Sequence, residues 1–148
     1  MAPSTVGRVA LLSIRPPFAS AIARGAKTVE YRRRPLAPDV THAVIYATLP
    51  VGRVLGLCEV TGQLVDTPER VWRATSERGF IDRSYFNEYF GGRERAVAIS
   101  LRFVDDLEDQ QVDLAWLGAV RPPQSYQYLH SEVARALAGE VKELALAT

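Results

Sequence analysis

Hydrophobic positions fall into short blocks whose period changes along the chain, and Pro, Gly and charged clusters separate them. Arg8 to Ile14 is a near-continuous apolar run stopped by Pro16-Pro17, the pattern of a strand buried on both faces. The prolines then suit the first turn of a helix whose stripe is Phe18, Ala21 and Ile22, with Gly25 where a left-handed cap is expected. Thr28 to Arg34 alternates with period two, so Val29 and Tyr31 share one face and Glu30, Arg32 and Arg34 the other. Ala43 to Ala47 reads as a core strand, and Arg53 to Val65 as a long one in which Gly56 and Gly62 mark bulges or sharp curvature. Thr67 caps a helix starting at Pro68 and carrying Val71 and Trp72. A second short helix follows Asp82, stacks Tyr85, Phe86, Tyr89 and Phe90 against the rest, and stops at Gly91-Gly92. Ala96 to Val104 alternates cleanly, sending Val97, Ile99, Leu101 and Phe103 inward. Pro122 to Leu129 reads as a loop entering an aromatic-rich segment. Ser131 is placed to cap a last helix bearing Val133, Leu137, Val141 and Leu144.

The blocks make an α+β chain of five or six short strands with short helices inserted between them and a helix at the C-terminus. Curvature of this kind is typical of small barrels. No repeat, low-complexity tract or linker divides it, so residues 1–148 are expected to form a single domain. At 148 residues and 47% hydrophobic content, the chain can bury roughly two-thirds of its unfolded surface without staples. The single cysteine, Cys58, sits among apolar strand positions and reads as a buried structural thiol. With no stretch apolar enough to cross a bilayer and no cleavable leader, a cytoplasmic location without a membrane is expected.

Charge singles out one region. The chain nets +1, yet residues 1–34 net +6 and the remainder −5, because Arg8, Arg15, Arg24, Lys27, Arg32, Arg33 and Arg34 oppose only Glu30 there. Such asymmetry points to an anionic partner, nucleic acid or a nucleotide first, with a solvated basic face as the alternative. Several chemistries are missing: there is no phosphate-binding Gly-rich loop ending in Lys-Ser/Thr, no Cys-x-x-Cys, no His-Glu-x-x-His and no Gly-x-Ser-x-Gly elbow. His42 and His130 are too few for a histidine-based metal cluster and read as surface or helix-start residues. No metal and no organic cofactor is implied.

What remains is Lys27, Glu30 and Arg32, packed into six residues where helix gives way to strand. A lysine in a pocket clamps phosphate, or serves as a base if burial and nearby cations such as Arg15 and Arg32 lower its pKa. Glu30 can exchange a proton or accept from a base's amino group. A surface ion network of little energetic weight is the competing reading.

The series Leu12-Ser13-Ile14-Arg15-Pro16, then Gly25-x-Lys27-Thr28-x-Glu30-x-Arg32, then Ile45-Tyr46-Ala47 and Gly56-Leu57-Cys58-Glu59-Val60, resembles the ASCH domain family. Tyr89-Phe90-Gly91-Gly92 and Pro122-Pro123-Gln124-Ser125-Tyr126 resemble segments of its longer members, so the likeness runs from about Leu11 to Leu129. The resemblance implies a PUA-like mixed β-barrel whose cleft, between barrel and first helix, accepts RNA, a nucleotide or a nucleoside. Arg15, Lys27, Arg32 and Arg33 would then hold phosphate, while Glu30, Gln124 and Ser125 orient a base and Tyr126 stacks on one. Family members include ribonucleases, amidohydrolases of acylated cytidine and RNA-binding modules. A metal-independent hydrolase with Lys27 as base and Glu30 as proton shuttle is therefore the alternative to simple binding. The amidohydrolases resemble this chain at Lys27 but carry threonine in place of Glu30, and their catalytic glutamate falls near Glu77.

Overall fold

The apolar run after Gly7 forms β1 (Arg8–Ile14), whose side chains enter two cores in alternation: Ala10, Leu12 and Ile14 on one face, Val9 and Leu11 on the other. The computed structural model describes residues 6–140. Two prolines open α1 (Pro16–Ala23), and Gly25 follows it at φ 79° as the left-handed residue that ends the helix. Then come β2 (Val29–Arg32), β3 (Val40–Ala47) and the 14-residue β4 (Arg53–Asp66). Thr67 caps α2 (Pro68–Thr75) by accepting from the Arg70 amide, and Asp82 caps α3 (Arg83–Tyr89) by accepting from the Tyr85 amide. β5 (Ala96–Asp106), β6 (Tyr126–Tyr128) and α4 (Ser131–Arg135) complete the order, with Ala136–Glu140 continuing the last helix as a π-helical turn.

Six strands make one mixed sheet in the order β2-β5-β4-β3-β1-β6, in which only the β1–β3 pair is parallel. Register shifts in β4 fall beside Gly56 and at Gly62, as the glycines in an apolar run predict. At Gly56 a Cβ would stand 2.2 Å from the Phe103 ring, so the close approach of β4 to β5 requires glycine. The sheet curls into a half-barrel around a core that α1 caps with Ala19 and Ile22, and Cys58 lies in that core with its thiol pushed up to about 12 by burial. A second cluster packs Leu107, Val112, Leu117 and Leu137 under β1 and β3. In a third, Val71 of α2, Phe86 of α3 and Phe90, which caps α3, rest on Val29, Tyr31, Ala96 and Ala98.

Four local expectations change. Residues 126–128 pair with β1 as a strand, which three residues cannot announce by alternation alone. The start of β5 is covered on both faces, because α2 and α3 lie over Ala96 and Ala98. His42 is buried in β3 opposite Glu59 with its ring nitrogen 2.8 Å from the Thr41 hydroxyl, and burial lowers its pKa. His130, rather than Ser131, occupies the cap of α4, and no side chain closes that cap. Val141 and Leu144 lie outside the described residues. Among the described residues no helix is long and apolar enough to cross a membrane.

The sheet's two edges, β2 and β6, are bridged by side chain rather than by a backbone ladder. Arg32, the last residue of β2, makes five hydrogen bonds: Nε and Nη2 to Glu30 Oε2, Nη2 to the Ser13 carbonyl, and Nη1 to the carbonyl and hydroxyl of Ser125. Ser13 is already tied to the same loop, through its amide to the Ser125 carbonyl at 3.0 Å and its hydroxyl to the Pro123 carbonyl at 2.6 Å.

Candidate functional site

A cleft of about 350 Å³ opens beside the contact of Arg32 with Ser13, lined by Ser13, Ile14, Arg15 and Phe18 on one side, Lys27, Glu30, Tyr31 and Arg32 along its floor, and Ile81, Tyr85 and Tyr89 on the other. Each wall has a local cause. Period two sends Val29 into the third core while Glu30 and Arg32 face the cleft, and Pro16 turns the chain so that Arg15 stands at the rim just before α1. On α3 the aromatic stripe divides: Phe86 and Phe90 are buried in the core, whereas Tyr85 and Tyr89, one position earlier in each turn, form the cleft wall. Adjacent helix positions differ by about 100° in direction, which separates the two roles.

Lys27 is the largest fully buried side chain of the protein's described residues, with only 1% of its side chain exposed. Its Nζ donates to the Gly79 carbonyl, lies 3.6 Å from Glu30 Oε1, and sits between the rings of Phe18 and Tyr31 at 5.4 and 5.3 Å. Burial lowers the pKa of this amine, opposed by the Glu30 carboxylate. Tyr31, whose own pKa burial raises, shares a 2.8 Å hydrogen bond with Thr75, and Thr75 donates to the Val71 carbonyl. The floor is thus bolted to α2 and to the turn that follows it.

Glu30 joins the two cations. Its Oε2 accepts twice from Arg32, at 3.1 and 2.9 Å, leaving Oε1 to face Lys27 and the cleft. At the rim Arg15 Nη1 donates to the Tyr85 hydroxyl at 3.3 Å, and the Phe18 and Tyr85 rings meet edge-on at 5.4 Å. Arg33 lies over the Tyr89 ring at 4.4 Å and donates to the Tyr89 carbonyl. The ingredients are a desolvated amine, a carboxylate whose Oε1 faces that amine, a hydroxyl that accepts from a guanidinium, and aromatic walls. Such a set suits proton transfer on a flat, polar, anionic ligand.

The residues picked out in the sequence fare differently. Arg15, Lys27, Glu30 and Arg32 meet in one cleft and Arg33 flanks it. The Arg32 guanidinium is turned to protein acceptors, and Lys27 lies buried at the floor rather than at the rim. Ser125 reaches the site through Arg32, whereas Gln124 and Tyr126 are exposed outside the lining, Tyr126 against Tyr128 at 5.3 Å. Glu77 is exposed in the turn Ser76–Arg78 and outside the cleft. Tyr85 and Tyr89 were readable only as packing residues. The signal that distinguishes them is the hydroxyl each carries where its neighbour, Phe86 or Phe90, has none. No group of three or more His, Cys, Asp or Glu side chains is placed to hold a metal ion among the described residues.

An ASCH domain-containing ribonuclease of Zymomonas mobilis is 34% identical to the chain over 133 residues, which is 86% of this chain and 88% of the relative. The crystal structure of ASCH from Zymomonas mobilis superposes with a TM-score of 0.74 at 31% identity, covering 89% of this chain and 94% of that one. A protein of Enterococcus faecalis V583 shares the fold alone, with a TM-score of 0.52 at 13% identity over 64% of this chain and 71% of its own. The ASCH domain pattern matches residues 12–105, and the chain belongs to the ASCH domain family.

Proposed function

We propose that this protein binds RNA and cleaves it without a metal in the cleft above Lys27 and Glu30. The observation that carries the reading is the Lys27–Glu30 pair, buried beneath an open cleft with aromatic walls and rim arginines. The ribonuclease name of the 34% identical relative supports the same choice of ligand. Buried ion pairs are poor stabilisers, so one kept at the floor of a cleft fits a chemical role.

The reaction that suits these groups is internal transfer. The ribose 2′-hydroxyl attacks the adjacent phosphorus, the O2′–P bond forms, and the P–O5′ bond breaks to leave a 2′,3′-cyclic phosphate. The hydroxyl's proton passes to Glu30 Oε1, with Lys27 balancing its charge. The leaving 5′-oxygen takes a proton from the Tyr85 hydroxyl, whose oxygen already accepts from Arg15. Arg15 and Arg33 hold phosphate, and Arg32 keeps Glu30 and Ser125 in position. A reducing compartment such as the cytoplasm fits the single free, buried thiol of Cys58.

Amide hydrolysis of a modified nucleoside is the weaker reading, since Glu77 stands outside the cleft. The test is to incubate RNA and acylated nucleosides with chelator-treated protein and identify products by mass spectrometry, beside Glu30→Gln, Lys27→Met and Tyr85→Phe. Cyclic phosphate ends that fall at least a hundredfold in Glu30→Gln and tenfold in Tyr85→Phe are the expected result. Full cleavage by Glu30→Gln, or none by the parent, overturns the ribonuclease reading.

A further inference from the structure

We infer that the cleft takes an unpaired nucleotide whose flanking phosphate is held in a separate, adjoining subsite between Arg15 and Arg33, which deepens the RNA reading and rests on it. A hollow of about 410 Å³ lies beside the cleft, lined by Arg15, Arg33, Tyr85, Glu88 and Tyr89. Arg15, Tyr85 and Tyr89 line both spaces, so the two tyrosines form a shared wall. A base against that wall in the cleft would leave its phosphate within the neighbouring hollow.

Both cations of the hollow are held from behind. Arg33 donates through Nε and Nη2 to the Tyr89 carbonyl at 3.2 and 3.1 Å, which leaves Nη1 without a protein acceptor among the described residues. Its plane rests on the Tyr89 ring, and Arg15 is steadied by the Tyr85 hydroxyl. Guanidiniums fixed in this way lose little side-chain freedom on meeting a phosphate. Glu88, exposed on α3, is the one acidic group lining the hollow among the described residues and discourages a second phosphate there. A paired base cannot present its face to Tyr85 and Tyr89, so the ligand is single-stranded at this point.

Calorimetric titration of the intact protein with 2′-O-methyl nucleosides, their 3′- and 5′-monophosphates and the matching dinucleotides tests this without cleavage. One of the two monophosphates should bind at least tenfold more tightly than its nucleoside, and the dinucleotide should keep that gain. Arg33→Ala should abolish the gain, leave nucleoside affinity within twofold, and flatten the salt dependence by about 0.7 in log-log slope. Glu88→Gln should tighten the monophosphate severalfold. Equal binding of nucleoside and both monophosphates, or equal weakening of all ligands by Arg33→Ala, overturns the phosphate subsite alone. Absence of binding by every member of the series overturns the RNA reading as well.

Discussion

Lys27 is held against its own chemistry. Its amine is desolvated by Phe18 and Tyr31 and retained by one carbonyl and one carboxylate, so the folded chain gives up the proton at lower pH than the unfolded chain does. The sign follows directly: between the folded pKa and 10.5 the unfolded state binds more protons, so stability rises with pH. Urea denaturation from pH 7 to 10 should show the parent gaining on Lys27→Met by up to about 1.4 kcal/mol per pH unit within that window, and a falling difference would contradict it. Much of this was legible beforehand, because the spacing of Lys27, Glu30 and Arg32 across a helix-to-strand junction forces them together. Depth was not legible. A lysine 1% exposed looks the same in sequence as one at a rim, since the rings that bury it come from Phe18, nine positions earlier, and from Tyr31 on the strand's opposite face.

At the scale of elements, the turn between α2 and α3 does more than connect. Its Gly79 carbonyl holds Lys27, and a Cβ there would stand 2.4 Å from the Tyr31 hydroxyl, so the turn packs directly on β2. Gly79→Ala should displace Tyr31 from Thr75 and cost about 1–3 kcal/mol in a thermal or urea melt. Cleavage should fall with it, as the carbonyl that fixes Lys27 moves. Sequence reading placed α2 and α3 well, because Thr67, Pro68 and Asp82 are strong start signals, and it missed β6, whose identity depends on pairing with β1 more than a hundred positions away. The aromatic stripe of α3 was visible as a stripe. Its division into core and cleft depends on which neighbour each ring meets.

Across the whole molecule, three of the seven cations of the basic N-terminal quarter are paired with acids among the described residues. Lys27 and Arg32 both face Glu30, and Arg8 pairs with Asp39 at 3.2 Å; of the other four, Arg15 and Arg33 present charge at the cleft and its neighbouring hollow, while Arg24 lies over the Phe80 ring and Arg34 is exposed. Arg32 lines the cleft while its guanidinium joins β2 to Ser13 of β1 and to Ser125, the residue before β6. Arg32→Lys, which keeps the charge but not the planar fork, should lower stability by about 2–3 kcal/mol in denaturant and speed hydrogen exchange at the Ser13 amide. Unchanged exchange would mean the edges hold without it.

That bridge also sets a ceiling on how stable the protein can become. A half-barrel whose two sides are joined by the Arg32 side chain is weaker than a barrel closed by a continuous ladder, yet drawing β2 further onto β1 at Ser13 would narrow the cleft that Ser13, Glu30 and Arg32 line, where a ligand is expected to lie. Selection for heat resistance alone should therefore drift toward variants that zip this gap shut, and the same variants should be the ones that no longer admit a ligand.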